Sequence, residues 1–81
     1  MANFAQVSNT IVEQVIVIAD SDCNNLVFPD SEPVGQVFIA SLGYTGEWLQ
    51  TSYNGNFRGR YAGIGYTWHG TDFVPPASEP A

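Results

Sequence analysis

The strongest pattern in the chain is an apolar run near its start, Ile11–Ala19, which reads Ile-Val-Glu-Gln-Val-Ile-Val-Ile-Ala. β-Branched residues dominate this run, and its second half is apolar at every position, as is typical of a central strand covered on both faces. Asn3–Val7 predicts a shorter strand, and the polar stretch Ser8–Thr10 predicts a turn between the two. We therefore expect the two strands to pair as an antiparallel hairpin.

A helix is predicted in the middle of the chain. Asp30 or Ser31 can cap its amino terminus, and a proline follows in the first turn, where proline is tolerated. Gly43 is suited to end the helix in the left-handed conformation. Gly35 weakens the prediction, and a strand over Gln36–Ser41 is the alternative. The apolar residues that share one face at helical spacing are Val34, Val37, Phe38 and Leu42.

Three further strands are predicted in the second half. Glu47–Tyr53 is followed by Asn54–Gly55, a dipeptide typical of tight turns, and Arg60–Trp68 alternates large and small residues. Two alternate glycines leave one face of this strand nearly bare, which indicates a bulge or a close approach to its backbone. A turn at His69–Gly70 leads into a last strand over Thr71–Val74.

The predicted order is β-β-α-β-β-β, an α+β fold in which one short helix packs on a small, mostly antiparallel sheet of about five strands. Residues 1–76 are expected to form a single β-rich domain, and 77–81 a flexible C-terminal tail. A chain of 81 residues buries only about 60–65% of the surface that its unfolded form exposes. Its single cysteine allows no intrachain disulfide. We therefore expect association with copies of itself or with other proteins to support it.

Charge and hydropathy exclude two classes of partner. Eight acidic residues stand against two arginines and no lysine, and the net charge is −6. Nucleic-acid binding needs several cations to displace counterions from phosphates, so neither DNA nor RNA is expected as a partner. The longest apolar run, Val15–Ala19, is far short of the ~20 residues that span a membrane, and the amino terminus has no signal-peptide pattern. No membrane partner is expected.

The segment after the second strand is the best candidate for a metal site. Asp20, Asp22 and Asn24 place oxygen ligands at alternate positions, as the start of an EF-hand calcium loop does. The pattern then fails, because the sixth position is Asn25 instead of glycine and the twelfth is Ser31. An ordinary solvated loop is the simpler interpretation, and a weak calcium site is the alternative. No other cofactor is predicted.

Catalysis is not expected. A nucleophilic mechanism needs a nucleophile, an imidazole and usually a carboxylate that orients it. Cys23 lies in a polar loop without a nearby cation that would lower its pKa, and an inert thiol at the surface or half-buried is the simpler interpretation. His69 lies in a predicted exposed turn.

Contacts with a partner are predicted at the two arginines, at two prolines, at the aromatic residues Trp48, Tyr53 and Trp68, and at an open edge of the sheet, whose unpaired backbone groups a neighbour can satisfy. Arg58 and Arg60 stand together in an acidic chain, and the planar guanidinium suits an acidic patch on a neighbouring subunit; a solvated turn is the alternative. Pro75 and Pro76 begin an extended tail that can cross a neighbour at low entropic cost.

Aromatic residues form the other candidate group. Most are expected to lie in the core or in a subunit contact, and a platform for sugar rings is the alternative, since they are spread over two strands that could be neighbours. They are Trp48, Tyr53, Tyr61, Tyr66 and Trp68.

Three segments form a distinctive combination: Trp-Leu-Gln-Thr-Ser-Tyr-Asn at 48–54, Tyr-Ala-Gly-Ile-Gly-Tyr-Thr at 61–67 and Phe-Val-Pro-Pro at 73–76. Together with the opening 1–7 and the strand 14–18, they resemble a family of small proteins from marine tailed phages, notably cyanophages. The resemblance implies a virion component made in the host cytoplasm: a capsid decoration or cement protein, or a part of the neck or tail, with copies of itself or coat or tail proteins as partners. A receptor- or glycan-binding module of the tail or fibre is the alternative.

Overall fold

The computed structural model describes residues 1–76, and the predicted tail at 77–81 lies outside them. Across the described part of the chain, one α-helix and a five-stranded antiparallel sheet confirm the predicted α+β class and element order. The elements are β1 (Ala2–Ser8), β2 (Ile11–Ile18), a 3-10 helix (Asp20–Cys23), α1 (Ser31–Ser41), β3 (Glu47–Thr51), β4 (Thr67–Trp68) and β5 (Phe73–Val74).

The predicted hairpin of β1 and β2 is confirmed, with Ala2 opposite Ile18 at one end of the ladder. Asn9 and Thr10 adopt left-handed φ angles of 51° and 67°, which suit a tight turn between strands that twist to the right. The strand order is β3-β1-β2-β4-β5, so β1 is the strand with full-length neighbours on both sides. β2 is the third of the five strands, which agrees with its prediction as a central strand, but β4 pairs with it only at Ile11 and leaves most of its outer side open.

Side chains of β1 alternate between two cores, one on each face of the sheet. Phe4 enters the core beneath α1, and the next residue, Ala5, enters the core on the opposite face. The buried residues of the first core are Ala2, Phe4, Ile18, Cys23, Ile39 and Trp48, and those of the second are Ala5, Val7, Val12, Ala62 and Phe73.

The helix forms where it is predicted and not the alternative strand, but it buries a different face. Ser31, Gly35 and Ile39 point into the protein, whereas Val37 and Leu42 are 72% and 55% exposed. The reason is the close approach of Phe4, whose ring leaves no room for a side chain opposite it. A Cβ atom added to Gly35 would lie 2.3 Å from Cζ of that ring.

The carboxyl-terminal end of α1 agrees with the prediction, and its amino-terminal end does not. Gly43 adopts φ +95° immediately after the last helical turn, which confirms its predicted role. Neither predicted cap is made: Asp30 occupies the cap position without a side-chain bond, and the Ser31 hydroxyl donates instead to Oε1 of Gln50, at 2.6 Å.

The predicted strand Arg60–Trp68 is wrong in most of its length, because only its last two residues form a strand. Gly65 adopts φ +90° and donates its N–H to the Val12 carbonyl, while the Tyr66 carbonyl accepts from the Val12 N–H. The segment therefore crosses the start of β2 as an irregular loop. The predicted turn before it is present, since the Gly55 N–H donates to the Ser52 carbonyl, and β3 and β5 are shorter than predicted.

Candidate interaction surfaces

Arg58 is the centre of a polar cluster between α1, β3 and the loop after it. Its guanidinium donates to both carboxylate oxygens of Glu32, with Nη2 3.0 Å from Oε1, and Nη1 also donates to the Gln50 carbonyl at 2.9 Å. Its Cζ lies 4.8 Å from the ring centre of Phe28 and 5.1 Å from that of Trp68. Cation–π attraction and paired hydrogen bonds thus hold the same side chain.

This placement corrects the expectation that Arg58 offers its charge to a partner. The side chains of Arg58 and Glu32 are only 17% and 15% exposed, so the guanidinium is used within the fold. Arg60 is exposed and forms no salt bridge within residues 1–76, so it is the arginine that a partner can reach.

The predicted aromatic group does not form one platform. β3 and β4 are separated by β1 and β2 in the sheet, so Trp48 and Trp68 are not neighbours. Of the predicted group, Tyr53 and Tyr61 do meet. Trp48 is buried beneath α1, and its Nε1–H donates to the Thr45 carbonyl at 3.1 Å. Trp68 is half-buried in the other core, with its ring centre 4.8 Å from that of Phe73. Trp48 therefore presents no open ring face for a flat ligand, and Trp68 already packs against Arg58 and Phe73.

A polar cleft lies where β1 begins and β3 ends. Its volume is about 220 Å³. Tyr53 stands at this cleft with 71% of its surface exposed, and its ring meets the edge of Tyr61 at a centroid distance of 5.3 Å. The uncharged polar residues that line the cleft, besides Tyr53, are Asn3, Gln50, Thr51, Ser52, Asn54 and Asn56.

The predicted calcium ligands are arranged around a 3-10 helix. The Asp20 carboxylate pairs with the amino terminus of Met1 at 2.9 Å, and both groups are well exposed. Asn24 adopts a left-handed φ of 55° as the carboxyl-terminal cap. Within the residues that the structure describes, no three carboxylate, thiol or imidazole side chains are grouped so that they could hold a metal ion.

Cys23 ends this 3-10 helix and faces inward, which corrects its predicted surface or half-buried position. Burial raises the pKa of its thiol, and the charges of Asp20 and Asp22 raise it further. The neutral thiol is therefore the stable form, and the side chain acts as a small apolar residue of the core.

The outer face of α1 is formed by Pro33, Val37, Ala40 and Ser41, all of which are exposed. None of them carries a charge, and the one charged residue of α1, Glu32, is bound to Arg58. A helix on the surface of a soluble domain normally places charged residues on its solvent side. Sequence reasoning missed this surface, although the uncharged stretch 33–46 in an acidic chain was a visible signal for it.

The outer sides of β3 and β2 differ in whether their backbone groups are hydrogen-bonded. On β3, the Trp48 carbonyl accepts from Nε2 of Gln36 at 2.6 Å, and the Gln50 N–H donates to Glu32 at 2.7 Å. Side chains thus cover the backbone of this edge. On β2, by contrast, the outer side of Gln14–Ile18 has no backbone partner within residues 1–76.

The helices found in residues 1–76 are too short to cross a membrane. Comparison of the chain with protein-family models, with curated proteins and with solved structures gives no match.

Proposed function

We propose that this chain is a structural or accessory subunit of a tailed-phage virion, either a capsid decoration or cement protein or a component of the neck or tail. It acts through contacts with neighbouring coat or tail subunits. The resemblance of segments 48–54, 61–67 and 73–76 to small phage proteins supplies the biological setting. The observation that carries the proposal is the uncharged outer face of α1.

The chemistry of that face suits a protein partner. The buried centres of protein interfaces are depleted in charge, and exposed apolar residues gathered on one element mark sites of association. Val37 is 72% exposed at the middle of the face, in a chain whose net charge is −6. Because like charges repel elsewhere on the surface, an uncharged face is where a neighbouring subunit can approach at least electrostatic cost.

Other predicted contacts can add to such an interface. Arg60 is exposed beside Gly55 and can reach an acidic group of a neighbour. Pro75 and Pro76 are half-buried, so only part of each ring is open to a neighbour. Partly exposed contacts of this kind contribute more to specificity than to affinity.

Two measurements test the proposal. Mass spectrometry of purified particles should detect the protein at a fixed copy number, with many copies pointing to the capsid and a small symmetric number to the tail. Incorporation of the Val37→Lys variant should fall about tenfold or more, the effect of a cost of about 1.4 kcal/mol. Ser8→Lys, a matched charge on an exposed residue away from the helix, should be incorporated normally. Absence of the protein from particles would refute the proposal.

The alternative function is a receptor- or glycan-binding module of the tail or fibre, and the polar cleft beside Tyr53 favours it. Amide and hydroxyl side chains beside an exposed ring are suited to the hydroxyl groups and apolar face of a sugar. A glycan array distinguishes this alternative. Tyr53→Ala should abolish any signal, whereas Tyr44→Ala, at the opposite end of β3, should not. An array without any signal for the parent protein rules the alternative out.

A further inference from the structure

The outward-facing backbone groups of β2 can be identified from the register of the sheet. In an antiparallel ladder, the backbone groups of successive residues point alternately to the two sides. The Trp48 and Gln50 groups bond to α1 and to Arg58, so they point away from β1, and Leu49 points towards it. Leu49 lies opposite Ala5, so Ala5 faces β3.

The next residue of β1, Phe4, then faces β2, where it lies opposite Ile16. Val15 and Val17 consequently point their N–H and C=O groups to the outer side of β2. Val12 also points outward, as its bonds to residues 65 and 66 show, and the extra residue Glu13 at the bulge explains the change of phase between Val12 and Val15. No hydrogen-bond partner for the groups of Val15 or Val17 lies within residues 1–76.

This edge lacks the features that normally protect a strand from association. Such features are lysine or other charged side chains, proline, or a covering loop. Gln14–Ile18 carries neither a charge nor a proline, and the side chain of Val17 is 49% exposed. The edge is therefore a template for one more strand.

We propose that a second copy of this chain supplies that strand, and that two β2 strands pair antiparallel around a two-fold axis at Ile16 to give one continuous sheet. Val15-Ile16-Val17 reads the same in both directions, so Val15 of each copy lies opposite Val17 of the other. Since both residues point outward, each of these pairs exchanges two backbone hydrogen bonds. The open length Gln14–Ile18 is itself centred on Ile16, so this register uses the whole of it in both copies.

The register also separates the two copies of Glu13 from each other, although each lies opposite Ala19 of the other copy, one position from Asp20. Glu13 lies six positions from its own copy along the paired strands, about 20 Å at the rise of a strand, which is well beyond the Debye length of about 8 Å. β2 ends at Ile18, and Asp20 beyond it is paired with the amino terminus of Met1. The joined region Gln14–Ile18 itself is uncharged. This contact uses a different surface from the outer face of α1, so the two proposals succeed or fail separately.

Sedimentation and amide exchange of the full chain test the pairing. The parent protein should sediment as a dimer in which the amides of Val15 and Val17 exchange as slowly as that of Ile16. Val17→Lys should raise the dissociation constant about tenfold or more. In the resulting monomer, the Val15 amide should exchange fast and the Ile16 amide should stay protected. Val37→Lys, the variant that tests the outer face of α1, should remain a dimer.

Cross-linking tests the register. At the axis, the two Ile16 Cα atoms lie in a non-hydrogen-bonded pair about 4.5 Å apart, within the range of about 4.4–6.8 Å that disulfides bridge. Ile16→Cys should therefore form a covalent dimer on oxidation. Val17→Cys should not, because its Cα lies roughly 8 Å from its own copy, beyond the limit of about 7 Å.

Three results would overturn the proposal. One is a parent protein that is monomeric with fast exchange at Val15 and Val17. Another is a monomer in which these amides are protected, since the same chain would then cover the edge itself. The third is a dimer that Val17→Lys leaves intact or that links through Val17→Cys, since the copies would then meet elsewhere or in another register.

Discussion

Replacing Arg58 with methionine is the sharpest test of how this small domain holds together. The side chain bonds to both carboxylate oxygens of Glu32 and to the Gln50 carbonyl, and it lies against two aromatic rings. Because both members of the ion pair are less than one-fifth exposed, solvent screens them little. Removing one member of a buried pair leaves the other charge uncompensated, which costs about 3–5 kcal/mol.

That loss is large for a domain of this size. A chain of 81 residues has a total stability of roughly 4–12 kcal/mol. At about 4–8 °C for each kcal/mol, Arg58→Met should lower the midpoint of thermal unfolding by roughly 12–40 °C. Circular dichroism during heating and urea titration both measure this change.

Two controls separate the ion pair from other effects of the substitution. Arg60→Met removes an exposed arginine that forms no salt bridge within residues 1–76, and it should change stability by no more than about 0.5 kcal/mol. The double variant Arg58→Met with Glu32→Leu leaves no buried charge, so it should recover part of the loss. If Arg58→Met is as mild as Arg60→Met, the guanidinium does not hold the fold together.

Three further predictions concern the interior. Gly35→Ala should lower stability by up to about 2 kcal/mol in urea titration, because overpacking against Phe4 costs about 1–3 kcal/mol and a helix-propensity gain of about 1 kcal/mol offsets part of it. Phe4→Leu should relieve much of this loss, and purely additive effects would contradict the clash. Thr51→Val should cost about 1–3 kcal/mol by the same assay, since its Oγ1 accepts the buried N–H of Ala62 at 2.9 Å, whereas a neutral result would mean that the N–H finds another acceptor. Cys23 should react with thiol reagents only as fast as the domain unfolds, and rapid labelling of the native protein would show that the thiol is accessible. Because folding raises the pKa of its thiol, its contribution to stability should be complete below the pKa of the unfolded thiol. That contribution should be lost as pH rises through the pKa of the folded thiol.

Local patterns predicted the parts of the fold that local chemistry decides. The β1–β2 hairpin follows from two apolar runs around a short polar turn, and the end of α1 follows from the left-handed conformation that Gly43 accepts. The face that α1 buries was not predictable in this way. Hydropathy selects the large residues, such as Val37, but the ring of Phe4 selects a glycine at the point of closest approach.

Contacts between residues far apart in the chain explain why two other features could not be predicted from the sequence. The segment Arg60–Trp68 alternates as a strand does, yet its backbone bonds go to Val12, more than fifty positions earlier in the chain. Likewise, Arg58 and Glu32 are 26 positions apart. The residues next to Arg58 in the sequence do not show whether its guanidinium is buried in an internal ion pair or exposed to a partner subunit.

The same ion pair explains why the two sheet edges differ. Glu32 and Arg58 each bind a backbone group of Gln50, so the pair that ties α1 to the sheet also closes the edge of β3. This closure takes the only charged residue of α1 away from the solvent and leaves the outer face of the helix neutral. No comparable side chain from the described residues reaches Val15 or Val17 on the opposite side of the sheet. The few charges of this region thus close the edge of β3. Two surfaces stay uncharged, the outer face of α1 and the edge of β2, and a neighbouring subunit can cover either of them.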